Sequence, residues 1–453
     1  MTQEFQNGSY QSVSDFYSGR SVFITGATGF LGKAYVEKLA YECREIDKIY
    51  ILIRHKKAVN LEQRIQNYLD QPFFTRLKEE RPEVIQKIIP ILGDITAPKL
   101  GLKAEDEQTL IDKVSVVIHS AAVVKFNQAL KDAINANVEG TRKVLSLAKL
   151  MKNVCTFVYI STAYSNCQEY VVEEVLYPPP ADLEEAKKFA MKHYILGDDD
   201  KELIKNHPNT YTFSKALAEQ VVAENRGDLP TIIIRPSIVS ASEREPVKGW
   251  VDNLTAATGV ITSLVKGWIH VIEASGDVVL DIIPLDYVVN LTIVAASRSS
   301  LVPGLRVYHS CSSTTNPITL KNIYTHIKEF TSQNNNNASH HVSMFFIKNK
   351  ALVSGLTCLM QISPAFMADM WLRCKGKQPK YLKLQSKVLQ GRNMLEFFST
   401  RSWQIHSEGA CSLYSSLSPE DRKAFRCDTT HIEWREYIFH YLVGIERYLA
   451  RKS

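Results

Sequence analysis

A tyrosine and a lysine four residues apart have the chemistry of a proton-transfer pair. Tyr211 and Lys215 fall on a predicted helix that runs to about Asn225, so their side chains share one face, one turn apart. A phenol has a pKa of about 10 and is a poor acid near neutral pH. A neighbouring ammonium group favours the phenolate, lowers that pKa and lets Tyr211 exchange a proton with a carbonyl oxygen. Because this spacing is common by chance, the interpretation needs support from other residues.

Two hydroxyl groups at the end of a predicted strand could assist this pair. Residues 157–160 are an apolar run, and Ser161 and Thr162 follow it directly. A hydroxyl at this strand end would orient the oxygen of a substrate. We therefore predict catalytic roles for Tyr211, Lys215, Thr162 and Ser161.

A glycine-rich turn near the amino terminus predicts a dinucleotide site. The apolar strand at 22–24 is followed by three glycines at intervals of three residues and then by a helical pattern. Such a turn lets a pyrophosphate approach the bare backbone, and the first amides of the helix point at it. The alternative is a tight turn that binds no ligand. The residues that we predict to contact the cofactor here are Thr25, Gly26, Thr28, Gly29, Phe30, Leu31 and Gly32.

Cations follow the second predicted strand, which covers residues 48–53. Arg54 and Lys56 lie just beyond its end, and no acidic residue occurs before Glu62. A carboxylate at this point would favour the free ribose hydroxyl of NAD, whereas cations fit the 2′-phosphate of NADP. The sequence therefore predicts NADPH, with a solvated basic turn as the alternative.

The elements that must position these residues alternate between strand and helix. The predicted strands are fully apolar, which is typical of a parallel sheet covered on both faces. Ligands of such sheets bind at the carboxyl ends of the strands, and every motif above lies at such an end. The further residues that we predict to contact the cofactor at these ends are Asp94, Ile95, Ala121, Pro236 and Ile238, together with Tyr211 and Lys215.

Composition sets the class of protein. The 453 residues are 45% hydrophobic and 23% charged, as in a globular protein, and the net charge of +6 is too dilute to indicate nucleic acid. The 8 cysteines include no Cys-x-x-Cys, so no metal site is expected, and no signal peptide is apparent.

We predict a loose tail over 1–19, an NADP-binding domain with substrate-binding insertions over 20–330 and a helical domain over 341–453.

The carboxyl-terminal region combines an apolar segment with a basic one. Residues 351–368 carry no charge, but they are too polar for a clear transmembrane span. Residues 373–387 carry six basic side chains and no acidic one. This combination suits a segment lying on a membrane surface, and the alternative is a buried helix beside a solvated face.

Together these motifs resemble the alcohol-forming fatty acyl-CoA reductases, which are extended short-chain dehydrogenase/reductases. The resemblance covers nearly all of the chain from Phe16 onward. The motifs that carry it in the nucleotide-binding part are 25–32, 53–54, 93–94, 161–164, 211–215, 235–237 and 249–253. Those in the second domain are 364–365, 375–377 and 397–400. The first set is shared with related enzymes, and its combination with the second makes the match specific.

The resemblance implies a fold, a reaction and a location. The fold is α/β, a Rossmann-type doubly wound parallel sheet with a smaller, mainly helical carboxyl-terminal domain. The reaction is the reduction of a long-chain acyl-CoA by two NADPH, through an aldehyde, to a primary alcohol and free CoA. Many members have a longer apolar tail, whereas this chain stops at Ser453, and this departure from the family's pattern puts a tail anchor in doubt. The expected location is a cytosol-facing surface of the endoplasmic reticulum or peroxisome, or the cytoplasm.

Other functions compete with this one. A related NADP-dependent enzyme could stop at the aldehyde, or could act on another hydroxy or carbonyl lipid, a sugar or a steroid. A non-catalytic NADPH-binding scaffold usually lacks the tyrosine or the lysine, and both are present here. The sequence leaves open whether the chain forms a homo-oligomer.

Overall fold

A seven-stranded parallel sheet forms the centre of the molecule. The computed structural model describes residues 10–55, 60–126, 128–192, 204, 207–299, 303–334 and 342–449. The seven strands, in chain order, are β1 (Ser21–Thr25), β2 (Ile49–Ile53), β3 (Ile88–Leu92), β4 (Val114–His119), β5 (Thr156–Ile160), β7 (Thr231–Pro236) and β11 (Leu305–Ser310). Their spatial order is β11-β7-β5-β4-β1-β2-β3, and every pairing is parallel.

Six short strands lie outside this sheet and form three parallel pairs. They are β6 (Val171–Val172), β8 (Ile238–Ser240), β9 (Val271–Glu273), β10 (Ile282–Pro284), β12 (Phe345–Ile347) and β13 (Gln404–Ile405). β8 pairs with β10, β9 with β12, and β6 with β13.

Helices cover both faces of the sheet. In chain order they are α1 (Val13–Tyr17), α2 (Phe30–Glu42), α3 (Leu61–Leu69), α4 (Thr75–Glu80), α5 (Ala104–Lys113), α6 (Leu130–Ala133), α7 (Gly140–Leu150), α8 (Leu183–Lys192), α9 (Thr210–Asn225), α10 (Ala256–Val265), α11 (Leu285–Ser299), α12 (Leu320–Asn334), α13 (Lys350–Thr357), α14 (Ser363–Cys374), α15 (Tyr381–Ser399), α16 (Glu408–Ser415), α17 (Pro419–Ala424) and α18 (Trp434–Tyr448). β1 is buried along its whole length because α2 and α11 pack on one face while α7 and α9 pack on the other. The predicted Rossmann-type sheet is confirmed.

Two helices follow irregular or extended segments. A π-helical turn, Ile134–Glu139, joins α6 to α7. Residues 282–284, directly before α11, form β10 and pair with β8.

The prediction of a loose tail is wrong for residues 10–19. Residues 13–17 form α1, whose Val13, Phe16 and Tyr17 are buried. The backbone amide of Val13 and the hydroxyl of Tyr10 both donate to Asp421, which lies some 400 residues later in the chain. Residues 1–9 lie outside the described residues.

The carboxyl-terminal region packs back onto the sheet body. β12 and β13 pair with strands of the preceding region, and α18 shares an apolar core with α10 and α12. The predicted boundary between residues 330 and 341 falls partly on residues outside the described ranges and stays a prediction.

The apolar segment near residue 351 is a mostly exposed helix, which we call the apolar arm (350–374). It comprises α13, a π-helical turn at Cys358–Ile362, and α14. The arm is 25 residues long, its most apolar stretch of 18 residues has a mean hydropathy of 1.5, and it is long and apolar enough to cross a membrane by these two measures. Only one narrow stripe of it is buried, and its members are Val353, Thr357, Gln361, Ala365, Asp369 and Leu372. The alternative of a buried helix is therefore contradicted.

Candidate active site

The glycine turn is built as an open cradle at the end of β1. Gly26 has a φ of +73°, and a β-carbon there would lie 2.7 Å from the backbone nitrogen of Ala121. A β-carbon on Gly32 would overlap the carbonyl oxygen of Gly26. Glycine is therefore required at both positions, because β1, α2 and the loop after β4 meet there.

The first turn of α2 has free amides. Gly29 is its N-cap, and no side chain of the described residues caps the helix. Thr28 and Gly29 are exposed, whereas the ring of Phe30 stacks on Trp250 at 5.4 Å, so Phe30 can offer only its backbone to a ligand. Uncapped, exposed amides at a helix start are a binding site for an anion.

The end of β2 carries two cations. The side chain of Arg54 is exposed, and the guanidinium of Arg64, on α3, donates to the backbone carbonyl of Arg54. Sequence reasoning missed Arg64 because it lies ten residues beyond the strand. Lys56 falls outside the described residues.

The loop after β3 is organised by a carboxylate. Asp94 accepts hydrogen bonds from the backbone amide and the hydroxyl of Thr96, at 2.8 and 2.7 Å. Ile95 is buried against Gly140, at the start of α7. Asp94 therefore shapes the turn. Ile95 contributes to packing at the carboxyl end of the sheet, where the cofactor is predicted to bind.

His119 has a structural role at the end of β4. Its two ring nitrogens are hydrogen-bonded to the hydroxyls of Thr25 and Thr141, at 2.7 and 2.9 Å. Burial lowers the pKa of His119 to about 3, so the ring is neutral. The hydroxyl of Thr25 in turn accepts from the amide of Ala121 at 3.2 Å, which fixes the loop against β1.

An asparagine in the π-helical turn joins this loop to the catalytic helix. Asn137 accepts from the amide of Val123 at 2.8 Å and donates to the hydroxyl of Ser214 at 2.9 Å. Ser214 lies between Tyr211 and Lys215 on α9. Nothing in the sequence distinguishes Asn137 from the other polar residues of this helical segment, Asn135 among them.

Tyr211 and Lys215 lie in the first two turns of α9, as predicted. Asn209 caps this helix by accepting from the amide of Thr212 at 2.9 Å. Tyr211 is partly exposed, and burial raises its pKa above the usual value. The structure therefore shows no lowering of this pKa by Lys215.

Lys215 is buried against β5 instead. Its ammonium donates to the carbonyl of Ile160 and lies 4.1 Å from the centroid of the Tyr159 ring. Burial lowers the pKa of Lys215 to about 7, an effect that the charge of Glu219 opposes. Lys215 is therefore poised between its charged and neutral forms.

The two predicted hydroxyls have different surroundings. Ser161 donates to Glu219, whose carboxylate also forms a buried ion pair with Arg235 at 2.7 Å. Among the described residues the hydroxyl of Thr162 makes only long hydrogen bonds, donating to the carbonyl of Pro236 at 3.5 Å and accepting from the amide of Tyr164 at 3.3 Å. Thr162 is therefore the freer of the two to bond a substrate oxygen.

The sheet brings the predicted residues to a single edge. The strands β1, β4, β5 and β7 are neighbours, and the residues named above follow their carboxyl ends. Ile238, the first residue of β8, is partly exposed and follows Pro236 at this edge. The arrangement combines an anion cradle, a proton donor and a lysine that could hold a ribose, which suits reduction of a carbonyl by a bound dinucleotide.

The fold is similar to that of solved reductase domains. The terminal R domain of the myxalamid PKS-NRPS pathway matches 94% of this chain and 90% of its own, with a TM-score of 0.66 and 22% identity. MoeE5, solved in complex with UDP-glucose and NAD, matches 94% of this chain and 99% of its own, with a TM-score of 0.52 and 13% identity. At these identities the likeness shows the fold alone.

Sequence comparison identifies the family. The pattern described as "Male sterility protein" matches in two parts, an NAD-binding part over residues 24–292 and a second part over residues 360–452. Fatty acyl-CoA reductase 1 of Xenopus laevis is 37% identical over 448 residues, which are 98% of this chain and 87% of the relative. Fatty acyl-CoA reductase 2 of Homo sapiens is 36% identical over 455 residues, with the same coverage. This chain belongs to the fatty acyl-CoA reductase family.

Proposed function

We propose that this chain reduces long-chain fatty acyl-CoA at a membrane surface and draws its electrons from NADPH. As a member of the family it is an oxidoreductase that reduces fatty acyl-CoA to fatty alcohol. The observation that carries the assignment is the position of Tyr211, Lys215 and Thr162 at the sheet edge that also holds the glycine turn. The choice of NADPH, the chain length and the membrane are our proposal.

The residues present fit a dinucleotide with a 2′-phosphate. The uncapped amides at the start of α2 would hold the pyrophosphate, and Lys215 would hold the nicotinamide ribose. Arg54, with Arg64 beside it, supports a charge-assisted contact to the 2′-phosphate. When bound, NADPH supplies the hydride for each of the two reductions.

Tyr211 and Thr162 act on the oxygen of the substrate. In the first reduction the thioester carbonyl becomes an oxyanion, which takes a proton from Tyr211 while Thr162 donates a hydrogen bond to it. The resulting hemithioacetal loses CoA as its carbon–sulfur bond breaks, and an aldehyde remains. In the second reduction the same two side chains serve the aldehyde oxygen, and a primary alcohol leaves. Tyr211 regains a proton from solvent after each reduction.

The experiment that tests this function is a product analysis. The purified chain is incubated with NADPH and acyl-CoAs of several lengths, and products are identified by mass. We expect primary alcohol, free CoA and two NADPH oxidised per acyl-CoA consumed. Accumulation of aldehyde with one NADPH oxidised would show that the enzyme stops after the first reduction, and no acyl-CoA consumption at any length would refute the function.

The apolar arm supports a membrane location for this reaction. Its exposed side chains include Leu359, Phe366, Met367 and Trp371, each more than half exposed. Arg373, at the end of the arm, and the five lysines that follow it up to Lys387 are all exposed. Apolar side chains beside cations suit insertion into the interface of a membrane with anionic headgroups.

A further inference from the structure

We propose that the acyl chain of the substrate leaves the catalytic centre along an aromatic path formed by Phe126 and Phe398, and that Phe398 makes the enzyme favour long chains. The inference rests on the proposed function and adds a binding site for the alkyl part of the substrate. It also gives the helical carboxyl-terminal region a part in selecting the substrate.

The path begins at the catalytic tyrosine. The ring of Phe126 lies 6.1 Å from the ring of Tyr211, and the ring of Phe398 lies 6.0 Å from that of Phe126. Phe126 follows β4, whereas Phe398 comes from the last turn of α15, more than 270 residues later. Two distant parts of the chain therefore meet beside Tyr211, because Phe126 contacts its ring and Phe398 contacts Phe126 in turn.

The far end of the path is rigid. Phe398 packs edge-on against Tyr164, with ring centroids 4.9 Å apart, and also contacts Trp403. The indole of Trp403 is held in place because it donates to the carbonyl of Cys167 at 3.0 Å. A wall of fixed aromatic rings offers a large apolar surface at little cost in side-chain entropy.

The near end is open to a ligand. Phe126 is only partly buried, and Val124, two residues before it, is 53% exposed. Ile238, also partly exposed, packs against the cluster that contains Phe398. Apolar side chains left half-covered beside a catalytic tyrosine are what an alkyl chain would bury.

The path also runs toward the apolar arm. α15 packs along α14, and Asp369 of the arm accepts three backbone amides at the start of α15, from Lys380, Tyr381 and Leu382. α15 contacts the arm along its length, since Arg392 donates to the hydroxyl of Thr357 and Glu396 pairs with Lys350, and it carries Phe398 in its last turn. A chain that follows α15 away from Tyr211 reaches the surface proposed to face the membrane.

The test compares one long and one short substrate in a Phe398→Ala variant. A short chain ends near Phe126, whereas a long chain must pass Phe398. We expect kcat/KM for palmitoyl-CoA to fall at least about tenfold relative to that for hexanoyl-CoA, since lost contacts in an apolar pocket are worth about 10–200-fold. The loss should appear as a higher KM for palmitoyl-CoA, with kcat for hexanoyl-CoA retained.

Phe330→Ala is the matched control. Phe330 is as buried as Phe398, at 5% exposure, and stacks on Phe439 away from the catalytic edge. It should lower stability to a similar degree and leave the ratio of the two substrates unchanged. Where an alanine variant does not fold, Phe398→Leu and Phe330→Leu give the same comparison with a smaller shift.

The possible results distinguish a failure of the proposed aromatic path from a failure of the proposed function. A wild-type enzyme that reduces neither acyl-CoA would refute the proposed function. A wild-type enzyme that reduces palmitoyl-CoA, together with a ratio unchanged by Phe398→Ala or changed equally by Phe330→Ala, would refute the aromatic path alone.

Discussion

The ammonium group of Lys215 lies 4.1 Å from the centroid of the Tyr159 ring. Together with its bond to the Ile160 carbonyl, this contact holds the lysine against β5 rather than against the Tyr211 phenol. Burial disfavours the charge of Lys215 and that of the Tyr211 phenolate alike. Burial therefore keeps Tyr211 protonated, as a proton donor must be.

Tyr211→Phe should abolish reduction and leave cofactor binding in place. The substitution removes the proton donor but keeps the ring that contacts Phe126. General acid catalysis is typically worth about 10²–10⁴-fold, so kcat should fall by that range. Turnover is measured with acyl-CoA, and NADPH binding by fluorescence titration. Turnover within about threefold of wild type would mean that another group donates the proton.

The buried Lys215 should make stability depend on pH. Its pKa is about 7 in the folded protein and ordinarily 10.5, so the unfolded chain binds more protons between these values. Stability should then rise with pH from about 7 to about 10.5. Below about pH 7 both states are protonated, and this dependence disappears.

Lys215→Met isolates this contribution. Urea unfolding of wild type and variant is measured across pH 6 to 10, without cofactor. The unfolding free energy of wild type should increase relative to that of the variant as pH rises. A difference between the two that stays constant with pH would contradict the lowered pKa of Lys215.

The neighbouring hydroxyls of Thr162 and Ser161 should have different roles, the first catalytic and the second structural. Thr162→Val should lower kcat by about 10²–10³, as removal of a donor to a developing oxyanion does. Ser161→Ala should cost about 1–3 kcal/mol of stability instead, because the buried Glu219 loses a hydrogen-bond donor. Steady-state kinetics and urea unfolding of both variants check the assignment, and the reverse pattern would exchange the roles.

Arg54→Ala should weaken NADPH binding and leave NADH binding nearly unchanged. The exposed guanidinium lies at the end of β2, where only NADPH carries an extra phosphate. Dissociation constants for both cofactors are measured by titration. Arg44→Ala is the control, because it removes the same charge from an exposed position before β2. Equal weakening of both cofactors by Arg54→Ala would show that Arg54 does not read the 2′-phosphate.

The sheet could be predicted because its strands are buried on both faces. The run at 22–24 has no polar residue and predicts a buried strand. The glycines and apolar residues that follow it predict a turn and a helix, all within about 20 residues. The site edge follows from this topology, since parallel strands place their carboxyl ends together. Local sequence was therefore enough to group Thr25, Thr162 and Tyr211.

Long-range contacts could not be predicted in the same way. α1 is a short helix in a polar segment, and its carboxylate partner Asp421 lies near the other end of the chain. Ser161 and Thr162 are adjacent and chemically alike, and only the position of Glu219 distinguishes them. The exposure of the apolar arm depends equally on packing, because the same composition would suit a core helix.

Binding to a membrane should depend on the six basic residues between positions 373 and 387. Each cation near an anionic surface is worth about 1 kcal/mol, so the six exposed ones could hold the protein there. We expect binding to anionic vesicles to weaken as salt rises, because the attraction is screened. A variant with four cations removed should leave the vesicles and still reduce a short, soluble acyl-CoA. The four positions changed to alanine are Lys375, Lys377, Lys380 and Lys383.

A second variant with four lysines removed elsewhere controls for net charge. Its positions are exposed and lie on or beside α5 and α7, and they are Lys103, Lys113, Lys149 and Lys152. Co-sedimentation with anionic vesicles should be lost in the first variant and retained in the control, and neutral vesicles should bind both proteins weakly. Equal loss in both would mean that net charge alone attracts the protein. Sedimentation of the first variant that persists in high salt would instead show that the exposed apolar side chains, Phe366 and Trp371 among them, insert deeply enough to hold the protein without the cations.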